Sequence, residues 1–522
     1  MLFPVNGVGD LGIILDVLPH ELPPNAWTGG RNVRFNSQFV EKSAGTLSLW
    51  GGATVPPYFL LNARDAIQNF WLYAGLAAVY ATDGVTHTDV TRLAGAYIAT
   101  ADLNWTGGVL NGIPVLNNGL DVPQYWALPL SVGTKLIALP NWNAAWLAAT
   151  LRTYKNFLVA VDVTKSGTRY PQMVKWSHPA DPGLVPSSWD EADATKDAGE
   201  YSLSETPGSC VDSVPLRDTN IVYKDDSIWG MQFTGGAFVH RFYNIAREIG
   251  LLSRRCAVEY LDGQHAVFGT GDIVVHNGQT LKSIVTQRVR KTIFAAIDGD
   301  AYVRSFTIHN EPKKEVWFCY PETGQAAPNK ALVWGYDKNS FGFRDITAAH
   351  MASGIIDSTP TSQAWDADSG TWEADTTLWD AGSYSPAIRR LLEADPTNSL
   401  FLYTDEGNQF NGSNMTSYIE RTGLAIPLKA GLPPDLSVRK MVTRIWPRIT
   451  GTPGGVVNVY LGSQEKAGDA VVYVAAKGFT IGTTKHLDFR VGGTLFAVKF
   501  ESTTDITWKL DGYELEVAFL GL

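Results

Sequence analysis

Apolar residues fall in short bursts along this chain, each running into a Gly/Asp turn and then a second burst. Seven such units begin at Asn69, Gly112, Asn156, Thr219, His265, Glu315 and Leu400, spaced 43, 44, 63, 46, 50 and 85 residues apart. A unit near 45 residues holds about four short strands, which is one blade of a β-propeller. The pattern recurs but no residue identity does, so the repeat predicts a scaffold and leaves function to what decorates it. Blade number lies between about six and eight, because the longest interval accommodates either one unit or one insertion.

The flanks differ from this beat. Pro4, Pro19, Pro23 and Pro24 exclude helix from most of the first 45 residues, which read as an extended leader. Arg31–Phe35 and Phe39–Lys42, bracketing Asn36-Ser37-Gln38, predict a tight hairpin. After Gly431–Asp435 (GLPPD), six long alternating strands without helix predict a β-sandwich or a large closing sheet. The expected division is an extended N-terminal arm and hairpin (1–50), a β-propeller (51–430) with a Trp-rich insertion near 361–384, and a C-terminal antiparallel β domain (431–522). Asp83-Gly84, Asn118-Gly119, Asp262-Gly263, Asn277-Gly278 and Asp298-Gly299 mark turns between strands. Trp142–Leu151 and Ser385–Ala394 are the best helix candidates in an all-β chain, and both are short.

Composition narrows the class. The 522 residues include 17 Trp, 20 Tyr and 22 Phe with 50 Gly and 27 Pro, as expected of an ordered chain with many turns. Lys and Arg total 42 against 52 Asp and Glu, a formal charge of −10, which opposes nucleic-acid binding. Cys210, Cys256 and Cys319 fit neither a metal motif nor a disulfide ladder, and Cys319 inside EVWFCY reads as a small buried hydrophobe. Unpaired cysteines predict folding in a cytoplasm. A basic signal-peptide lead is missing, and the longest uncharged apolar stretch alternates like strands, so no membrane span is expected.

Candidate chemistry is sparse. Propeller glycosidases need two carboxylates facing each other across a sugar, and spacing alone pairs none here. Asp368-Ser369-Gly370-Thr371-Trp372 approaches the Ser-x-Asp-x-Gly-x-Thr-Trp turn of sialidase-type propellers but lacks one residue before the Thr and the upstream Ser. It lies in a tandem array whose Trp365, Trp372 and Trp379 stand seven apart. The d positions of that heptad are Asp368, Asp375 and Gly382, so a coiled coil fails and rim loops carrying a Trp remain. Nucleophile elbows, phosphate-binding loops and His-Glu-x-x-His are absent. His265 and His276 flank a predicted hairpin and read as hydrogen-bonded structural imidazoles, with no third metal ligand apparent. Arg254-Arg255, Arg288/Arg290/Lys291, Lys313-Lys314 and Arg389-Arg390 read as solvated loop or strand-edge charge rather than phosphate contacts. No catalytic, cofactor or metal residue is predicted.

A resemblance enters through the leader. Leu22-Pro23-Pro24-Asn25-Ala26-Trp27, Gly30-Arg31-Asn32-Val33-Arg34-Phe35 and Val40-Glu41-Lys42 resemble the opening of tail proteins from short-tailed bacteriophages. Trp105-Thr106-Gly107-Gly108, the run Asn117 to Trp126, Gly263-Gln264-His265-Ala266 with Gly271 to Gly278, and Ser362–Asp380 look like the same group, in the same order. The C-terminal region is thinly matched. The resemblance implies a tail nozzle or hub protein: a ring of six beneath the portal and its adaptor, meeting tail fibres or spikes. Such a ring forms the distal tube, holds packaged DNA and lets it pass at ejection, touching it transiently and without sequence preference. Location in the virion after folding in the host cytoplasm, and the lack of enzymatic activity, are implied with it. An acidic tube wall suits sliding DNA, and a Pro-rich leader suits draping over a neighbour. Removing Met1–Gly30 is then expected to leave the propeller folded while impairing ring assembly or docking. The alternatives are a receptor-binding or fibre-anchoring tail protein and a carbohydrate-active propeller hydrolase.

Overall fold

Residues 1–65, 69–236, 238–356, 389–405, 407–429, 434 and 436–519 are described in the computed structural model. Six consecutive four-stranded antiparallel sheets follow one another along the chain. Their innermost strands are Phe59–Arg64, Thr106–Leu110, Trp146–Tyr154, Cys210–Leu216, Ala257–Leu261 and Phe306–Asn310. A seventh sheet starts with His350–Gly354, continues through Arg390–Asp395 and Leu400–Thr404, and is completed by Thr46–Gly52 from the N-terminal side. The inner strand of blade 7 packs against that of blade 1, so the seven sheets close into a β-propeller.

The origin of the repeat is now visible. In blades 1 to 6 each apolar burst is the second strand, such as Asn69–Ala74, Ile113–Asn117, Phe157–Lys165 and Glu315–Tyr320. That strand lies inside its own sheet and between two neighbouring blades. Both faces are therefore buried, and Glu315–Tyr320 is buried at all six positions. Burial on both faces gives a continuous apolar run rather than clean alternation. In blade 7 the burst at Leu400 is the third strand, and the 85-residue interval before it spans residues 357–388. The tandem Trp array lies outside the described residues.

The leader departs from expectation. It is built into a two-sheet sandwich with the C-terminal strands. Leu2–Val5 and the hairpin Val33–Asn36/Phe39–Lys42 join Trp508–Phe519, Lys440–Gly451 and Leu487–Gly493 in one sheet. Gly29–Arg31 pairs with Ser417–Leu424 in the other, beside Leu495–Ser502 and Val456–Gln464. The leader forms no α-helix, as read, and only a 3-10 turn at Pro19–Glu21, but Val5, Ile13, Trp27, Val33 and Val40 need an apolar partner. They find it in Ile419, Val442, Phe500, Tyr513 and Leu515, forming one core. The Trp27 indole N–H donates to Val8 O at 2.7 Å, so its polar edge is satisfied inside that core.

Both helix candidates fail among the described residues, residues 385–388 of the second lying outside them. Trp146–Tyr154 is the inner strand of blade 3, and Arg390–Asp395 is a strand of blade 7. Ala and Leu favour helix intrinsically, but strand pairing within the blade and apolar packing from neighbouring elements override that preference. Among the described residues, the α-helix is Arg290–Ala296, in a segment read as a basic cluster. No helix among them is long and apolar enough to cross a membrane.

Candidate functional site

The leader residues Arg31, Asn32 and Arg34 sit at a joint with the propeller. The short strands around Arg31 and Arg34 place alternate side chains against blades 6 and 7. Arg31 Nε pairs with Asp345 Oδ2 at 2.6 Å, and Asn32 both donates to that oxygen and accepts the Asp345 backbone N–H. Arg34 is more deeply set. Its Nε and Nη2 contact the two oxygens of Glu315 at 2.5 and 3.2 Å, and Nη2 also reaches Asp405 at 2.9 Å. Burial alone would push this guanidinium down, but Glu315 and Asp405 overcome it and hold it above its ordinary value. Asp405 is held down to about 2 because Arg34 and Arg344 outweigh its burial. Further joints tie blades together: Asn117 Nδ2 donates to Ala148 O, and Arg92 pairs with Asp121 at 2.7 Å.

The propeller axis holds a cavity of about 310 Å³, walled by the inner strands of blades 2 to 7. Arg152, Ser213, Arg255, Glu259, Thr307 and His350 are among its lining residues. Asp212 lies fully buried beneath. Its oxygens accept Nε and Nη2 of Arg152 at 2.8 and 2.7 Å and the backbone N–H groups of Ser213 and Arg255. Burial would raise the Asp212 carboxyl, yet Arg152 and these donors hold it below the usual range. Arg152 is thereby neutralised. Arg255 is not: its Nη1 is buried without a hydrogen-bond partner, as is that of Arg254. Burial and the nearby Arg152 push the Arg255 guanidinium down to about 10. The reading of Arg254-Arg255 as solvated charge is therefore corrected, since the backbone turns these residues inward at the start of an inner strand. Lys313-Lys314 is exposed as read. Arg288 donates to Leu11 O, and Arg390 lies over the Tyr403 ring.

His265 and His276 do meet, cross-strand, around one hydroxyl. Tyr223 Oη lies 2.6 Å from His265 Nδ1 and 2.7 Å from His276 Nε2. His265 Nε2 faces Pro215 O, so it carries the proton and Nδ1 accepts from Tyr223. His276 Nδ1 accepts the Gly278 N–H, so Nε2 donates to the same hydroxyl. Every ring nitrogen is occupied. Burial pushes both imidazoles down, to about 4 and about 3, and they remain neutral. Among the described residues no cluster of three or more His, Cys, Asp or Glu is arranged to hold a metal.

A second cavity, about 360 Å³, opens between blades 6 and 7 beside Glu393, Asp395, Asp345 and Thr46. Glu393 is 1% exposed, and its Oε1 has no hydrogen-bond partner. Burial pushes its carboxyl up to about 7; Arg344 opposes this while Asp405 and Asp395 reinforce it. The folded protein thus keeps a proton that the unfolded chain releases at an ordinary carboxylate pKa. Stability falls as pH rises through that window up to about 7, by ~3 kcal/mol in all. Glu393→Gln is neutral throughout, so its melting temperature is expected to exceed wild type at about pH 8 and to match it near about pH 5. Melts giving the same difference at both pH values would refute this.

No family model matches the chain, and no curated protein does. Solved structures do. The AfRom2 CNH domain matches at a TM-score of 0.37 and 8% identity, over 69% of this chain and 98% of its own. An exo-β-1,3-galactanase from Phanerochaete chrysosporium with galactose matches at 0.27 and 7%, over 91% of this chain and 100% of its own. A variant of that enzyme with β-1,3-galactotriose matches at 0.28 and 7%, over 90% and 100%. The common ground is the fold. The expectation of a chain without enzymatic activity is corrected here, because two of these three likenesses are enzymes; at such scores and identities they assign no activity in its place.

Proposed function

We propose that this chain is a structural component of a short-tailed phage's tail, a nozzle subunit that assembles with copies of itself beneath a portal and adaptor and gives a path for DNA. One observation carries this reading. The leader residues Arg31, Asn32 and Arg34, which bear the resemblance, lock the sandwich to blades 6 and 7. A mechanical part under pressure benefits from a rigid joint between its two bodies. An apolar rim is also available for assembly: Phe233, His240, Trp176, Phe242 and Tyr201 form a run of rings with centroid spacings of 4.7–5.8 Å. Phe233 and Tyr201 are 41% and 44% exposed, and Phe238 nearby is 82% exposed.

Electron microscopy of the purified protein tests the reading. Six-membered rings with a central hole are expected, weakened by Phe238→Ser; monomers at all concentrations would end it. A second reading, a carbohydrate-active propeller, is the direction in which the solved-structure likenesses lean, and the same ring-lined rim offers flat faces on which a sugar could stack. Glycan binding or sugar release by wild type that is lost in Tyr201→Ser, without any ring, would favour it.

A further inference from the structure

The axial cavity is a donor-rich site that lacks its acceptor. Arg152 is spent on Asp212, and Asp212 has both oxygens occupied. Arg255 then supplies positive charge, and its buried Nη1 has no hydrogen-bond partner. Glu259, the carboxylate among the described lining residues, is exposed and takes the Gly263 N–H on Oε1. His350 accepts the Leu60 N–H on Nδ1 at 3.0 Å, which leaves Nε2 as the protonated nitrogen of a neutral ring. Burial, with Arg255 and Arg152 nearby, holds that ring well below its ordinary pKa, so it stays a neutral donor. Ser213 is fully buried in the cavity wall, and its hydroxyl has no partner.

The backbone at Arg255 is also unusual. Its φ is +67°, a left-handed conformation that a side-chain-bearing residue seldom adopts. It is clamped there: its N–H donates to Asp212 Oδ2 at 2.8 Å, and its carbonyl accepts the Thr307 N–H at 2.8 Å. Strain of this kind persists where surrounding structure over-determines it, often at ligand sites. A buried guanidinium without a counter-charge is unfavourable, and binding an anion relieves it.

We propose that the axial cavity binds an oxyanion, the carboxylate or phosphate group of a small molecule, held by Arg255 with His350 and Ser213 as further donors. A guanidinium presents paired N–H groups that match two oxygens of either anion, and the cavity volume admits a small ligand. The site is independent of the tail reading and stands or falls separately.

The test is a thermal and calorimetric titration of the full chain with inorganic phosphate, with acetate, and with chloride at matched ionic strength. Saturable binding of phosphate or acetate is expected, with no saturable response to chloride. The anion that binds about tenfold more tightly identifies the group. Arg255→Lys keeps the charge but loses the fork, and should weaken binding about tenfold. Arg255→Met should abolish saturable binding and, in anion-free buffer, melt above wild type. If Arg255→Met does not fold, the Arg255→Lys titration decides. No saturable response in wild type, or an undiminished one in Arg255→Lys, overturns the proposal.

Discussion

Arg34→Met is expected to lower the folding stability by about 3–5 kcal/mol, the range for removing one member of a buried ionic network. The side chains of Arg34, Glu315 and Asp405 are 13%, 5% and 13% exposed, so water does little to replace the lost charge. Trp317 Nε1 would still donate to Glu315 and Asn310 Nδ2 to Asp405, but neither bears a charge. Arg344 is the remaining cation, 3.6 Å from Asp405 and stacked over Trp317. Arg34→Lys restores the charge but cannot reach two carboxylates in the same fork, so it should recover only part of the loss. Because Arg34 belongs to the sandwich and its partners to blades 6 and 7, denaturant melts of the methionine variant should also separate into two transitions. A loss below about 1 kcal/mol, the scale of a solvent-exposed pair, would show that this joint is not what couples the two bodies.

The second large effect concerns the leader as a whole. Deleting residues 1–52 removes Thr46–Gly52, the outer strand of blade 7, along with four strands of the sandwich. That outer strand fastens the ring with residues from far apart in sequence, and Trp50 packs on Trp71 across the seam at 5.9 Å and on Phe401 of its own blade at 5.6 Å. The truncated chain is expected to lose near-ultraviolet circular dichroism and to aggregate through the strand edge it exposes. Deleting residues 1–30 keeps the outer strand but removes Trp27 and Leu2–Val5 from the sandwich. It should therefore leave a folded propeller with an unfolded C-terminal region, measurable by proteolysis. The expectation from sequence, a folded propeller with impaired ring assembly or docking, is thereby extended to an unfolded C-terminal region. A fully folded sandwich in the shorter truncation would contradict the core described above.

What could be read in advance, and what could not, follows from distance along the chain. The middle strands of the blades announced themselves because burial on both faces leaves a local mark: a burst such as Val316-Trp317-Phe318-Cys319 is apolar at every step. The His265–His276 pair was legible for a similar reason, since a hairpin brings its own two strands together. Arg254 and Arg255 were misread because a charge doublet looks the same in sequence whether it faces solvent or a cavity. Their environment is set by Arg152, Asp212 and Thr307, which belong to three other blades. Ala148 and Leu151 signalled helix by propensity and were overruled by pairing with Phe157–Lys165 and by packing between the inner strands of the adjacent blades.

The sequence alone thus determined that the chain is all-β and built from repeated four-stranded units, because those properties rest on periodicities spanning a few residues. Only the tertiary structure decided that the ring has seven blades, that the leader belongs to the C-terminal sandwich, and that an unpaired arginine, Arg255, faces the axis. Each of these depends on pairing or charge balance between residues tens to hundreds of positions apart. Such pairings follow from which surfaces are left to bury once local structure has formed, and that is a property of the assembled fold.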